Sequence, residues 1–294
     1  MIEQLNNMKV RVAIAVAIVL GGLLVAIVLN SDSGSDRWRA ECGSTPADPA
    51  DKQAGSVAEA RRALLSTGKD PRLGIEIVDL GTCAVERSWK ADQPQPTASV
   101  VKLLIALDLI DRSGVPSDSE ATAVHAMLSA SDDRVASRLW QQNGGPEIVR
   151  RQVAKLGLRH TTPPADPGQW GSTRMSPVDV VAVYRYLTAS SSEEEREFLT
   201  GALASAPRTA ADGFDQHFGI PRAFPGAEWA VKQGWGSSEA RRVLNTTGLV
   251  RTASRTYAVA VLASWSETID WPTATTALTA AMTALKGSLE GGKV

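Results

Sequence analysis

The 294 residues carry 31 Lys and Arg against 32 Asp and Glu, a formal net charge of −1, and 43% of them are hydrophobic. That balance, with arginines scattered beside acids, excludes the basic stripe of a nucleic-acid binder. His125, His160 and His217 stand far apart, with no Cys or acid at ligand spacing, so neither a metal site nor a cofactor is expected.

The chain opens on an apolar run, Val12 to Leu29, behind Lys9 and Arg11. As a helix it spans about 27 Å at roughly 1.5 Å per residue, close to the bilayer core. It is longer than the core of a cleaved signal peptide and ends without a small-x-small site. The reading is a transmembrane anchor within residues 1–30. The basic pair keeps the N-terminus cytoplasmic and puts the rest of the chain outside the cell membrane in a single pass. Residues 31–54, rich in Ser, Asp, Gly, Pro and Ala, read as a flexible linker, and 55–294 as the folded domain.

Cys42 and Cys83 then fall on the exported side, where disulfides persist. A bridge between them closes a loop of about 41 residues, worth roughly 4 kcal/mol in the chain-entropy picture. Two separate buried thiols are the alternative.

In chain order, residues 55–67 place Val57, Ala60, Ala63, Leu64 and Leu65 on or near one helical face. Arg72–Leu80 alternates as a strand, and Gly81-Thr82 turns it into a second strand through Val85 and Trp89. After Pro94 and Pro96 the pattern is helical over 99–112, 119–129, 131–142, 146–156, 177–189 and 193–204. Strand signals return at 229–232, 242–250 and 257–265, before a final helix over 272–285. The expected fold is α+β. Five antiparallel strands form one sheet flanked by the terminal helices, with an all-helical subdomain inserted after the second strand.

Three segments carry chemistry. In the first, Ser99 precedes Lys102 by three residues at the head of a helix that is apolar almost all round through Ile110. Such a helix lies inside a fold, so Lys102 is expected to be partly buried with its pKa pushed toward a base's range. A serine beside a desolvated amine is a workable nucleophile–base pair, with helix-end amides ready for an oxyanion. An N-cap serine with a snorkelling lysine gives the same spacing. The second segment, Ser131-Asp132-Asp133, is a polar break before a helix, which a plain N-cap cluster also explains. The third is Lys232-Gln233-Gly234-Trp235, a strand-end lysine followed by a glycine that admits a close backbone approach.

In this order the three segments resemble the motifs of the active-site serine superfamily of class A β-lactamases and penicillin-binding proteins: SxxK, Ser-x-Asn and Lys-Thr/Ser-Gly. The resemblance covers roughly residues 55–290. It implies Ser99 as the nucleophile that forms an acyl-enzyme, Lys102 as the base and Ser131 as a proton relay. It implies that Lys232 holds a substrate carboxylate and that Asp133, Gln233, Gly234 and Trp235 belong to the substrate-binding surface. The backbone amides of Ser99 and Trp235 would form the oxyanion hole.

Three departures stand out. Asp133 replaces an Asn whose amide donates, and pairing with Lys102 would raise that amine's pKa. Gln233 replaces a Thr or Ser and would crowd the pocket. Residues 159–173, where class A enzymes carry a water-activating glutamate, hold only Asp166 as a carboxylate. The expectation is a monomeric, extracytoplasmic serine hydrolase that is slow to deacylate. Its substrates would be β-lactams or D-alanyl peptides, amides or esters of the cell envelope. A catalytically silent domain that binds a wall fragment or a partner protein is the competing reading. The eight tryptophans are too dispersed for a carbohydrate platform.

Overall fold

The computed structural model describes Trp38, residues 50–287 and Leu289. The expected anchor, Cys42 and most of the expected linker lie outside the described residues. Among the described residues no helix is long and apolar enough to cross a membrane.

Helix α1 (Ala50–Leu65) leads into β1 (Arg72–Asp79) and β2 (Val85–Trp89). A block of helices follows: α2 (Lys102–Ser113), α3 (Asp118–Ser129), α4 (Asp133–Gln142), α5 (Pro146–Leu156), α6 (Pro177–Ala189) and α7 (Glu193–Ala204). Two-residue strands β3 (Gln95–Pro96) and β4 (Arg174–Met175) pair with each other at its base. One turn of helix, α8 (Ile220–Ala223), precedes β5 (Glu228–Ser238), β6 (Arg241–Arg251), β7 (Thr256–Ser266) and α9 (Trp271–Gly287). The five long strands form one antiparallel sheet in the order β2-β1-β7-β6-β5.

Side chains on one sheet face, such as Ile75, Ile77, Val259 and Val261, pack with Leu64 of α1 and with Leu278 and Met282 of α9. On the other face, Val78, Leu249, Ala260 and Leu262 pack with α2 and α6. Helix α2 is buried from Lys102 through Ile110, as its all-round apolar sequence requires. Its one interior carboxylate, Asp108, meets Arg151 of α5 at 2.6 and 2.8 Å.

Several expected boundaries move. Helix α1 starts at Ala50, inside the expected linker, and Trp38 is 4% exposed in the core facing the helical block. A 3-10 turn, Ala98–Val101, holds Ser99, and the α-helix begins only at Lys102. Ser131 stays outside α4 because its φ is +59°, and Asp132 caps that helix by accepting from the Arg134 amide.

Candidate active site

The first element of the site is the turn that carries Ser99. Ala98, just before it, has φ +45°, a conformation that a Cβ residue adopts only under constraint. The constraint is on hand. Asn245 of β6 donates Nδ2 to the carbonyls of Pro96 and Thr97, both at 3.0 Å, and the Thr97 amide bonds Thr173 O at 2.9 Å. Gly234 of β5 packs directly beneath. A Cβ there would stand 2.5 Å from Thr97 O and 3.3 Å from Ser99 N. Gly234 therefore lets the strand and the Ser99 turn touch, and does not itself line the cleft as the sequence suggested.

Around Ser99 the structure gathers the three residues given catalytic roles with it, Lys102, Ser131 and Lys232. Lys102 Nζ lies 2.9 Å from Ser99 Oγ, 3.0 Å from Ser131 Oγ and 2.8 Å from Ser131 O. Lys232 Nζ reaches Ser131 Oγ from the far side at 2.9 Å. Ser131 thus joins two lysines that are 130 residues apart in the chain, and both amines are fully buried. Burial pushes both ammonium groups below their ordinary pKa, Lys232 strongly, and the charge of Lys102 pushes Lys232 further down.

Asp133 sits where its replacement of Asn matters most. Its Oδ1 is 2.5 Å from Lys102 Nζ, while its side chain is 63% exposed at the cleft mouth. The carboxylate draws the Lys102 pKa upward, as its position implied, but desolvation is the larger effect and the net shift is downward.

The expectation for Gln233 is corrected. Its side chain is buried, and Nε2 donates to Phe218 O at 2.8 Å and Gln216 O at 3.2 Å, so it neither lines nor crowds the cleft. Gln216 in turn donates to Ser129 O and Pro207 O. The two glutamines link β5 to the segment that presents Ser131.

The cleft over Ser99 encloses about 260 Å³. Trp170 and Trp235 stand in its walls, and Ser172 and Ser238 share a 3.0 Å hydrogen bond across it. Lys102 Nζ lies 4.9 Å from the centre of the Trp170 ring. The 159–173 loop contributes Gln169, Trp170, Gly171 and Ser172 to the lining and no carboxylate. Asp166 is exposed and accepts from the Gly168 amide at 2.9 Å instead. Trp235 lines the cleft on β5, an edge strand whose outer backbone groups are free of the ladder.

Asn245, Gln216, Trp170 and Asp212 escaped the sequence reading because none belongs to a short motif. A larger cavity of about 680 Å³ lies between Phe214–Arg222 and α9, and it contains none of Ser99, Lys102, Ser131 and Lys232. Cys83 is not a free thiol.

No protein-family model matches the chain. Among curated proteins it is similar to the protein named "Putative lipoprotein LppW" in Mycobacterium tuberculosis and in Mycobacterium bovis, 38% identical over 146 residues in each. Those residues are 47% of this chain and 46% of the relative, so the chain matches about half the length of these curated relatives. Among solved structures it is similar to the TLA-3 extended-spectrum β-lactamase, with TM-score 0.65, 14% identity, and 81% of this chain and 99% of that one covered. The class A β-lactamase of Mycobacterium abscessus gives TM-score 0.63 and 20% identity over 80% of this chain and 99% of its own. A PBP-A mutant, solved as an acyl-enzyme complex with penicillin G, gives 0.64 and 16% over 84% and 99%. The chain therefore has the β-lactamase/DD-peptidase-like fold. At these identities the likeness is one of fold alone.

Proposed function

We propose that this protein is a serine hydrolase that forms an acyl-enzyme at Ser99. The observation that carries this reading is the 2.9 Å approach of a fully buried Lys102 amine, its pKa pushed down by desolvation, to the Ser99 hydroxyl. In the reaction, Ser99 Oγ bonds to the acyl carbon while its proton passes to neutral Lys102 Nζ. The Ser99 and Trp235 amides receive the oxyanion, and as the scissile bond breaks Ser131 gives its proton to the leaving group and takes one back from protonated Lys102, 3.0 Å away. Because the 159–173 loop offers the cleft no carboxylate, the acyl-enzyme is slow to hydrolyse.

The substrates are amides or esters of the cell envelope, with D-alanyl peptides and β-lactams as the class the fold suggests. The LppW relatives, lipoproteins by name, support an envelope location. The Val12–Leu29 run supports a single-pass anchor with the domain outside, and we extend the proposal to a monomer with a Cys42–Cys83 bridge.

The test uses the full chain in detergent, a β-lactam and a broad serine-reactive phosphonate, followed by intact mass. An adduct that persists on the wild type and falls by about 10³-fold in rate in Ser99→Ala supports the reading. One observation favours the silent binding domain instead: the Asp133 carboxylate at 2.5 Å favours the protonated, unreactive form of Lys102. Absence of any adduct with either reagent would make that the better account.

A further inference from the structure

The charges that face the cleft differ in sign from those beneath it. Among the described lining residues the only charged side chains are Asp133 and Asp212, both exposed. The cations below are spent within the protein. Lys102 Nζ is shared among Ser99, Ser131 and Asp133, and Lys232 Nζ among Ser131 Oγ and Gln233 O, with both amines out of solvent. Gln233, next to Lys232 on β5, gives its amide hydrogens to Gln216 O and Phe218 O. Among the described residues no lining side chain of the cleft is cationic, and the donor beside Lys232 faces elsewhere.

The acidic groups are also held in place. Asp212 Oδ2 accepts from Trp235 Nε1 at 2.9 Å, and its Oδ1 accepts from the Phe214 amide at 3.0 Å. The Trp235 indole stacks on Phe214 with centroids 5.0 Å apart and planes 13° from parallel. Both donors to Asp212 are neutral, so no cation is hydrogen-bonded to it and it feels the two lysines below only at a distance. Asp133 has one oxygen on Lys102, and once that amine is neutral and ready to act as base, Asp133 has no cation bonded to it either. Two carboxylates and two indole walls in a narrow cavity concentrate negative potential where the substrate enters.

We propose that the cleft selects a substrate whose acyl part carries a cationic group, such as an ammonium, near the scissile carbonyl, and rejects one whose acyl part carries a carboxylate there. This rests on the hydrolase reading for its chemistry and on the cleft alone for its binding. An anionic group entering would face Asp133 and Asp212 without an exposed partner, a like-charge juxtaposition.

The experiment uses three p-nitrophenyl esters of matched shape: 4-(trimethylammonio)butyrate, 5,5-dimethylhexanoate and the glutarate monoester. With the full chain in detergent, nitrophenolate release and the Ser99 adduct mass are followed. Equilibrium binding of the three corresponding methylamides to Ser99→Ala is read by tryptophan fluorescence. The ammonium ligand is expected to bind and acylate about tenfold better than its neutral isostere, and the carboxylate worse than either. The preference should shrink in 1 M salt, where screening acts within about 3 Å, and in Asp212→Asn. Equal binding of the ammonium and neutral methylamides, or tighter binding of the carboxylate, overturns the inference. Loss of the Ser99 adduct with all three esters defeats the hydrolase reading, while the methylamides still decide the cleft's preference.

Discussion

The two faces of the sheet are built from opposite materials. Against α1 and α9 the sheet is almost wholly apolar; among the described residues the charged side chains buried there are Arg87, tied to Ser56 Oγ at 2.8 Å, and Asp79 at the end of β1, paired with Arg255 at 3.0 Å. Against the helical block the same strands bury Glu76 and Lys232, and Lys232 shares the Ser131 hydroxyl with buried Lys102 of α2. The first face is a stabilising surface. The second gives up stability to hold charged groups out of water, which is where a chemical site has to be.

Removing a large side chain from the dry face should have the greatest effect. Leu278→Ala on α9 is expected to cost about 4 kcal/mol and lower Tm by roughly 10 °C, seen in denaturant and thermal melts. Ser99 labelling of the surviving folded fraction should stay normal.

On the other face the sign reverses. Glu76 is buried on β1 with Oε2 lacking a partner, and desolvation pushes its pKa up to about 7. Its folded pKa lies above the unfolded one, so its protonated form contributes stability below about pH 4.5 that is lost as pH rises through about 7. Glu76→Gln should therefore be about 3 kcal/mol more stable than the wild type at pH 8, and about equal to it at pH 4. Urea midpoints at the two pH values check this; a constant difference between them would rule it out.

The smallest effect is expected at Lys232. Its folded pKa is depressed, so holding it protonated weakens the fold below that pKa, and stability recovers as pH rises toward the unfolded value. Lys232→Met should add about 1 kcal/mol at pH 7 and slow Ser99 labelling, compared by parallel melts and adduct rates. A loss of stability at pH 7 would mean that the Ser131 hydrogen bond outweighs the burial cost.

What the sequence disclosed follows the same division. Long periodic segments were legible because one pattern, repeated, decides them. The α2 sequence announced a buried helix and with it a buried Lys102. The strands over 242–250 and 257–265 were likewise evident from their apolar content. Elements fixed by distant partners were not legible. The β3–β4 pair is two residues wide, the Ala98–Val101 turn is held by Asn245 and Thr173, and α8 has a single turn. The site divides the same way. Ser99 and Lys102 could be paired from spacing, and Ser131 and Lys232 joined them through the resemblance of the three segments to the active-site serine superfamily. The direction in which Gln233 points, and the arrival of Trp170 and Asp212 at the cleft, depend on contacts between segments that no local pattern encodes.

Ser131 has a further consequence as a molecular rotor. A hydroxyl oxygen has two lone pairs, and here two amines stand 3.0 and 2.9 Å away. While both amines donate, both lone pairs are occupied and the hydroxyl hydrogen must point away from the pair. When either amine gives up a proton, the hydrogen can swing round and donate to the vacated nitrogen. The angle of one O–H bond therefore records the summed charge of two lysines. Neutron diffraction from deuterated crystals grown at two pH values should show that hydrogen in two places.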